Sequence, residues 1–231
     1  MDIILIPGLW LDGSSWNDVV PILEKAGHRT HPLTLPGLGA PAAESAEIGM
    51  ADWVDAAVAA VDALDGDVIV VGHSGGGNVA WGVADARPGR VARVIFVDTV
   101  PPASGNGISE FAVADGVVPF PGWDHFPDDD VSDLDDETRE RTAPLTLSVP
   151  ARVPTDAIVL RDSARHRVPV TLLMGALDQE TFDGMIDQWG PYADEYHAID
   201  DAEVVRIGSG HWPQFSVPAR LAALIDAAVT R

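Results

Sequence analysis

Cysteine is absent from the 231 residues, which excludes disulfides, thiolate metal ligands and a cysteine nucleophile. Lysine is nearly absent: Lys25 is the only one, and 14 basic residues face 36 acidic ones for a net charge of −22. A surface this negative repels phosphate backbones and anionic lipid, so neither nucleic acid nor a membrane is expected as a partner. The same charge favours a monomer or at most a weak homodimer. Long apolar runs are also missing. No window approaches the ~18 uninterrupted apolar residues of a spanning helix. The N-terminal "MDIILIPG" has no basic segment and meets a proline after four apolar residues. It reads as neither secretory signal nor anchor, which makes the cytoplasm the expected location.

What remains is an ordinary globular composition, 46% hydrophobic. A chain of this length buries roughly 70% of its unfolded surface and needs no metal or disulfide staple. Short apolar runs, most of them rich in Val and Ile, at 2–6, 67–71, 91–97, 168–174 and 202–207, with a further strand near 29–35, alternate with helical patterns at 15–26, 51–64, 76–86, 181–190 and 217–229. Non-alternating apolar strands suit a sheet covered on both faces. Strand–helix repetition predicts a doubly wound, mainly parallel α/β sheet. Residues 101–166 break the rhythm and read as an insertion or lid between core segments 1–100 and 167–231. Their acidic run, Asp128–Glu137, lacks the alternating acids and central glycine of a calcium loop and reads as a solvated helix start. No metal or cofactor is expected.

The informative stretch is "VIVVGHSGGGNVAWGVADA", residues 68–86. "GHSGG" matches G-x-S-x-G between a strand and a helix, the context that motif requires. It predicts Ser74 on a strained turn, with Gly72 and Gly76 leaving room for close backbones. A phosphate loop is excluded because no G-K-[ST] follows. Serine needs a base. Of the seven histidines, His211 in "RIGSGHWPQF" follows the last strand and precedes the last helix. Active groups of doubly wound sheets gather at that carboxyl end, so His211 is the expected base. His73 is expected to pack.

With these motifs the chain resembles the α/β-hydrolase family, and within it the small serine esterase and hydroxynitrile-lyase-like branch. The resemblance rests on "GHSGG" (72–76), the segment 101–166, and "GHWPQFSVPARLAALI" (210–225), and it covers nearly the whole chain. It implies an α/β-hydrolase fold of about six parallel strands with a lid. It also implies a carboxylate that orients His211. Asp178 in "LLMGALDQE" is the preferred candidate and Asp98 in "VIFVDTVPP" the alternative. An oxyanion hole is implied from the Gly75 amide and one in "PGLWLDGSSW", Leu9 or alternatively Trp10. Pro7 stands where the family often has histidine. Trp10, Phe111, Phe120, Trp123, Phe126 and Trp212 are expected to line the substrate pocket.

The implied reaction is hydrolysis of an ester, thioester or lactone of a small, largely apolar molecule through an acyl-enzyme on Ser74. The sole lysine lies on an early helix, which argues against the lysine-dependent lyases of the branch. Some proteins of this fold act instead as ligand receptors, and others pass the acyl group to an acceptor other than water. Arginines 139, 141, 152, 161, 165 and 167 are candidates to anchor a substrate carboxylate, or to balance nearby acids.

Overall fold

A computed structural model describes residues 1–231. Eight strands occur: β1 (Asp2–Ile6), β2 (Arg29–Pro32), β3 (Val68–His73), β4 (Val91–Val97), β5 (Val117–Val118), β6 (Val149–Pro150), β7 (Val170–Met174) and β8 (Ala202–Arg206). Six form one all-parallel sheet in the order β2-β1-β3-β4-β7-β8. The chain steps from β1 outward to β2, then returns to place β3 on the other side of β1. That reversal opens a crevice beyond the carboxyl ends of β1 and β3, where ligands of such sheets bind.

Alternation along each strand supplies two cores. Ile4, Ile6, Val70, Phe96 and Leu172 face one side, where Trp53 and Trp81 of helices Met50–Asp62 and Gly76–Ala86 pack on them. Ile3, Leu5, Val71, Ile95 and Leu173 face the other, against Trp16, Leu23 and the final helix Pro218–Val229. Both faces are therefore dry, which explains why these strands read as continuous apolar runs. No helix is long and apolar enough to cross a membrane.

Two expected helices are divided. In place of 15–26, Asp12 accepts from the Ser14 amide at 2.8 Å and starts a short turn, Gly13–Trp16. The α-helix spans only Val20–Lys25. In place of 181–190, helix Gln179–Asp183 is followed by a turn at Ile186–Trp189 and a new helix, Pro191–His197. Gly190 reverses the chain there at φ +57°, a conformation that costs glycine little.

Residues 101–166 add no strand to the main sheet. They carry the β5–β6 antiparallel pair and short helices Asp128–Val131 and Asp136–Thr142. Trp123, Val131 and Leu134 of this segment pack with Leu11, Trp212 and Phe215 into a third cluster.

A buried charge cluster fixes helix Pro191–His197. Glu195 accepts from Arg165 Nε at 2.8 Å and Nη2 at 3.0 Å, and from Trp81 Nε1 at 2.7 Å. Burial alone would raise the Glu195 pKa. The Arg165, Trp81 and His166 hydrogen bonds outweigh it and hold the carboxyl below its ordinary value. Removing Glu195 leaves Arg165 with Asp85 Oδ1, at 3.2 Å, as its remaining carboxylate and leaves the Trp81 N–H without a partner, so Glu195→Ala is expected to lower unfolding free energy by about 1–3 kcal/mol. Urea denaturation checks this; a loss below 1 kcal/mol, the level of a surface pair, contradicts it.

Candidate active site

Ser74 follows the last residue of β3 and precedes helix Gly76–Ala86, with φ +51°. For a non-glycine residue this left-handed conformation is strained, and such strain concentrates at functional sites. The glycines are sterically required. A Cβ at Gly72 would lie 2.5 Å from the Gly76 carbonyl oxygen, and one at Gly76 would lie 2.8 Å from that of Ile6. Two further non-glycine residues adopt positive φ at neighbouring strand ends: Trp10 at +64° after β1 and Asp98 at +48° after β4.

His211 lies in the loop after β8, and its Nδ1–H donates to Asp98 Oδ2 at 2.6 Å. The other Asp98 oxygen accepts the Gly175 amide at 2.7 Å. Burial acts to raise the Asp98 pKa; the hydrogen bond and charge of His211, with the Gly175 amide, outweigh it and leave the group below the ordinary carboxylate range. The carboxylate beside His211 is thus Asp98, the alternative candidate, and not the preferred Asp178. Asp178 is exposed and caps helix Gln179–Asp183, accepting from the Thr181 amide at 3.0 Å and hydroxyl at 2.7 Å. It sits four residues beyond β7. Asp98, by contrast, directly ends β4, the sheet neighbour of β3.

The loop carrying His211 is held from two sides. From the sheet, His73 Nε2–H donates to the His211 carbonyl at 2.7 Å, while Gln214 Nε2 donates to His73 Nδ1 at 3.3 Å. From the segment 101–166, the Asp130 carbonyl accepts the His211 amide at 2.8 Å, and Asp133 Oδ2 accepts the Gly210 amide at 2.8 Å. The acidic run thus does more than start a solvated helix, and His73 does more than fill space.

Full burial, and secondarily the His211 charge, push the His73 pKa down from 6.5 to about 3, against the raising effects of its hydrogen bond to His211 and of Asp98. The folded ring is neutral. Unfolding restores its ordinary pKa, so below pH 6.5 the unfolded chain takes up a proton that the folded one refuses. The stabilisation is complete above pH 6.5 and is lost as pH falls toward 3. Between pH 6.5 and 5, wild-type stability is expected to fall by about 1 kcal/mol per pH unit more steeply than that of His73→Gln. Urea titrations of both proteins check this, and parallel slopes contradict it.

The expected oxyanion donors are adjacent. A Cβ at Gly75 would sit 3.0 Å from Leu9 Cγ, and one at Gly8 would sit 3.2 Å from Ser74 Cβ. Neither the Leu9 nor the Gly75 amide donates to another backbone group. Ser74 and His211 together line two cavities that meet at Ile108. One, of about 150 Å³, is walled by Leu9, Trp10, Phe111, Phe126 and Trp212. The other, of about 140 Å³, is walled by Asn78, Asp98, Thr99, Val100, Gly107 and Tyr192.

Four of the six expected pocket aromatics reach the first cavity. Phe120 and Trp123 do not. Phe120 packs edge-on against Trp10 and Trp123, at centroid distances of 5.8 and 4.9 Å, and Trp123 is buried against Trp212 at 5.0 Å. They support the wall from behind. Sequence reasoning missed the second cavity, including Asn78. No arginine lines either cavity. Arg139, Arg141, Arg152 and Arg165 pair with Asp124, Asp18, Asp156 and Glu195 respectively.

A model of the alpha/beta hydrolase family matches residues 3–224. The chain belongs to the alpha/beta hydrolase family. Among curated members, a carbendazim-hydrolysing esterase from Nocardioides sp. is 34% identical over 108 residues, 46% of this chain and 44% of that protein. The chain spans less than half the length of the curated relatives it matches. Among solved structures, an extracellular alpha/beta-hydrolase from a Paenibacillus species superposes with a TM-score of 0.78 at 19% identity, covering 99% of this chain and 98% of that one. A methylesterase from Arabidopsis gives 0.74 at 19% identity, covering 100% and 99%. At these identities the two structures speak for the hydrolase fold alone.

Proposed function

We propose that this alpha/beta hydrolase is a serine esterase acting on small neutral esters, with Ser74, His211 and Asp98 as its triad. The observation that carries the reading is the 2.6 Å hydrogen bond from His211 to Asp98, in a cavity that His211 shares with a positive-φ Ser74. Relatives named for ester cleavage support it.

Ser74 Oγ adds to the ester carbonyl carbon while His211 Nε2 takes its proton. The carbonyl oxygen becomes an oxyanion that accepts from the Leu9 and Gly75 amides, at the positive end of helix Gly76–Ala86. Asp98 keeps the proton on Nδ1 and stabilises the imidazolium without taking the proton itself. The C–O bond to the alcohol then breaks, and His211 protonates the leaving alkoxide. Water attacks the acyl-enzyme carbonyl while His211 takes its proton; the bond to Ser74 Oγ then breaks, His211 returns the proton to Oγ, and a carboxylic acid leaves. Residues 101–166 serve as the lid, with Trp10, Phe111 and Phe126 enclosing an apolar arm of the substrate.

Release of p-nitrophenol from short-chain p-nitrophenyl esters tests this reading. Many turnovers per protein molecule are expected. A single stoichiometric burst overturns it in favour of a ligand receptor or an acyltransferase without its acceptor.

A further inference from the structure

The steps above use Ser74, Gly75, Asp98 and His211 of the second cavity and leave the rest of its wall without a role. Its wall contains Asn78, on the first turn of helix Gly76–Ala86. Residues 76–84 of that helix are all buried, and Asn78, 7% exposed, is the only one with a polar side chain other than the Trp81 indole. The indole N–H is satisfied by Glu195. The Asn78 amide has no hydrogen-bond partner in the protein, and it is not among the side-chain atoms sealed from the cavity. Asparagine is a poor residue for a helix interior, and this one keeps its amide open to the cavity. A leucine would serve the core better. The Thr99 and Tyr192 hydroxyls on the same wall are likewise without protein partners.

The charge of this chamber is equally specific. It holds the Asp98 carboxylate and no lysine or arginine. An open groove that adjoins it at Gly107 and Ile108 carries Glu110. Away from the oxyanion donors, an anion entering it meets two acids and no lysine or arginine. At about 140 Å³ the chamber is also smaller than the ~300 Å³ at which drug-sized pockets begin, so it takes a short group.

Resting on the esterase reading, we infer that this chamber is a recognition subsite for a short, neutral, hydrogen-bonding group of the ester substrate, a hydroxyl, carbonyl or carboxamide, with Asn78 its specificity-determining contact. Asparagine offers both donor and acceptor, and Thr99 and Tyr192 add two hydroxyls that serve either way. The substrate is then two-sided: one short apolar arm among Trp10, Phe111, Phe126 and Trp212, and one short polar arm beside Asn78.

Two matched pairs of esters test the subsite, each exchanging a methyl for a hydroxyl. Ethyl 3-hydroxybutanoate against ethyl 3-methylbutanoate varies the acyl side; 2-hydroxypropyl butanoate against isobutyl butanoate varies the alcohol side. In at least one pair the wild type is expected to favour the hydroxylated ester about tenfold in kcat/KM, equivalent to 1.4 kcal/mol. The ratio is expected to fall to about one in Asn78→Leu and partway in Thr99→Val, which guards against a misfolded first variant. A wild-type ratio near one in both pairs overturns the proposal. So does a ratio that neither variant changes, or faster turnover of monoethyl succinate than of the neutral esters. If the wild type cleaves none of them, the esterase reading fails. The subsite is then decided by calorimetric binding to Ser74→Ala: tenfold tighter binding of a hydroxylated ester, lost on adding Asn78→Leu, upholds it, and equal binding overturns it.

Discussion

Ser74→Ala is expected to lower kcat for p-nitrophenyl ester hydrolysis by about 10⁶-fold, down to the residue left by the oxyanion donors and binding alone. The effect is this large because no neighbouring group can replace the nucleophile. The side chains lining the two cavities offer Thr99 and Tyr192 as the only other hydroxyls. Neither sits at the joint of β3 and helix Gly76–Ala86. Alanine leaves that turn's backbone in place, and a left-handed φ of +51° is as strained for alanine as for serine, so stability should change little. Steady-state kinetics and urea denaturation on the same preparation separate the two effects. A loss of less than 10²-fold, in protein freed of wild-type contamination, contradicts the nucleophile assignment.

Asp98→Asn is expected to lower kcat by about 10⁴-fold near neutral pH. The carboxylate does two things that an amide cannot. It accepts a hydrogen bond from Nδ1–H at 2.6 Å, which leaves Nε2 free as the base, and its charge stabilises the imidazolium that forms next. Asparagine can instead turn its NH₂ toward Nδ1, fixing the wrong tautomer. The control is Asp178→Ala, which removes a helix cap and is expected to lower stability slightly while leaving kcat within twofold. The reverse pattern, with Asp178→Ala inactive and Asp98→Asn near wild type, contradicts the geometry of His211.

The contrast between those two aspartates also marks what one dimension conveys. Val and Ile runs announce buried parallel strands and place five of the six strands of the main sheet; the edge strand β2, Arg29–Pro32, has neither residue and is not buried, and it spans only part of the expected 29–35. Ser74 and His211 were equally legible, because each stands at a strand–helix joint with its motif around it. The choice of acid was not. Asp98 and Asp178 both follow a strand, and spacing to His211 does not reveal which end lies nearer. That depends on β4 being the neighbour of β3, and on Gly175, where a Cβ would stand 3.0 Å from Asp98 Oδ1. The glycine right after β7 was the available signal.

The substrate side was harder to read for a related reason. Phe120 and Trp123 look like Phe111 and Phe126 in the sequence, yet they back the wall and do not form it. Nothing local distinguishes the two layers. Asn78 carried a faint signal, a polar residue inside the otherwise apolar stretch 76–84, four positions after Ser74. Its meaning appears only once the surrounding side chains are seen to leave its amide unpaired.

The most direct test of the central claim is covalent labelling of the folded wild type with a fluorophosphonate, followed by peptide mapping. One adduct per chain on Ser74, absent in Ser74→Ala and slowed in Asp98→Asn, is the expected result. No adduct on folded wild-type protein, or an adduct that persists in Ser74→Ala, contradicts the assignment of an activated nucleophile at the end of β3.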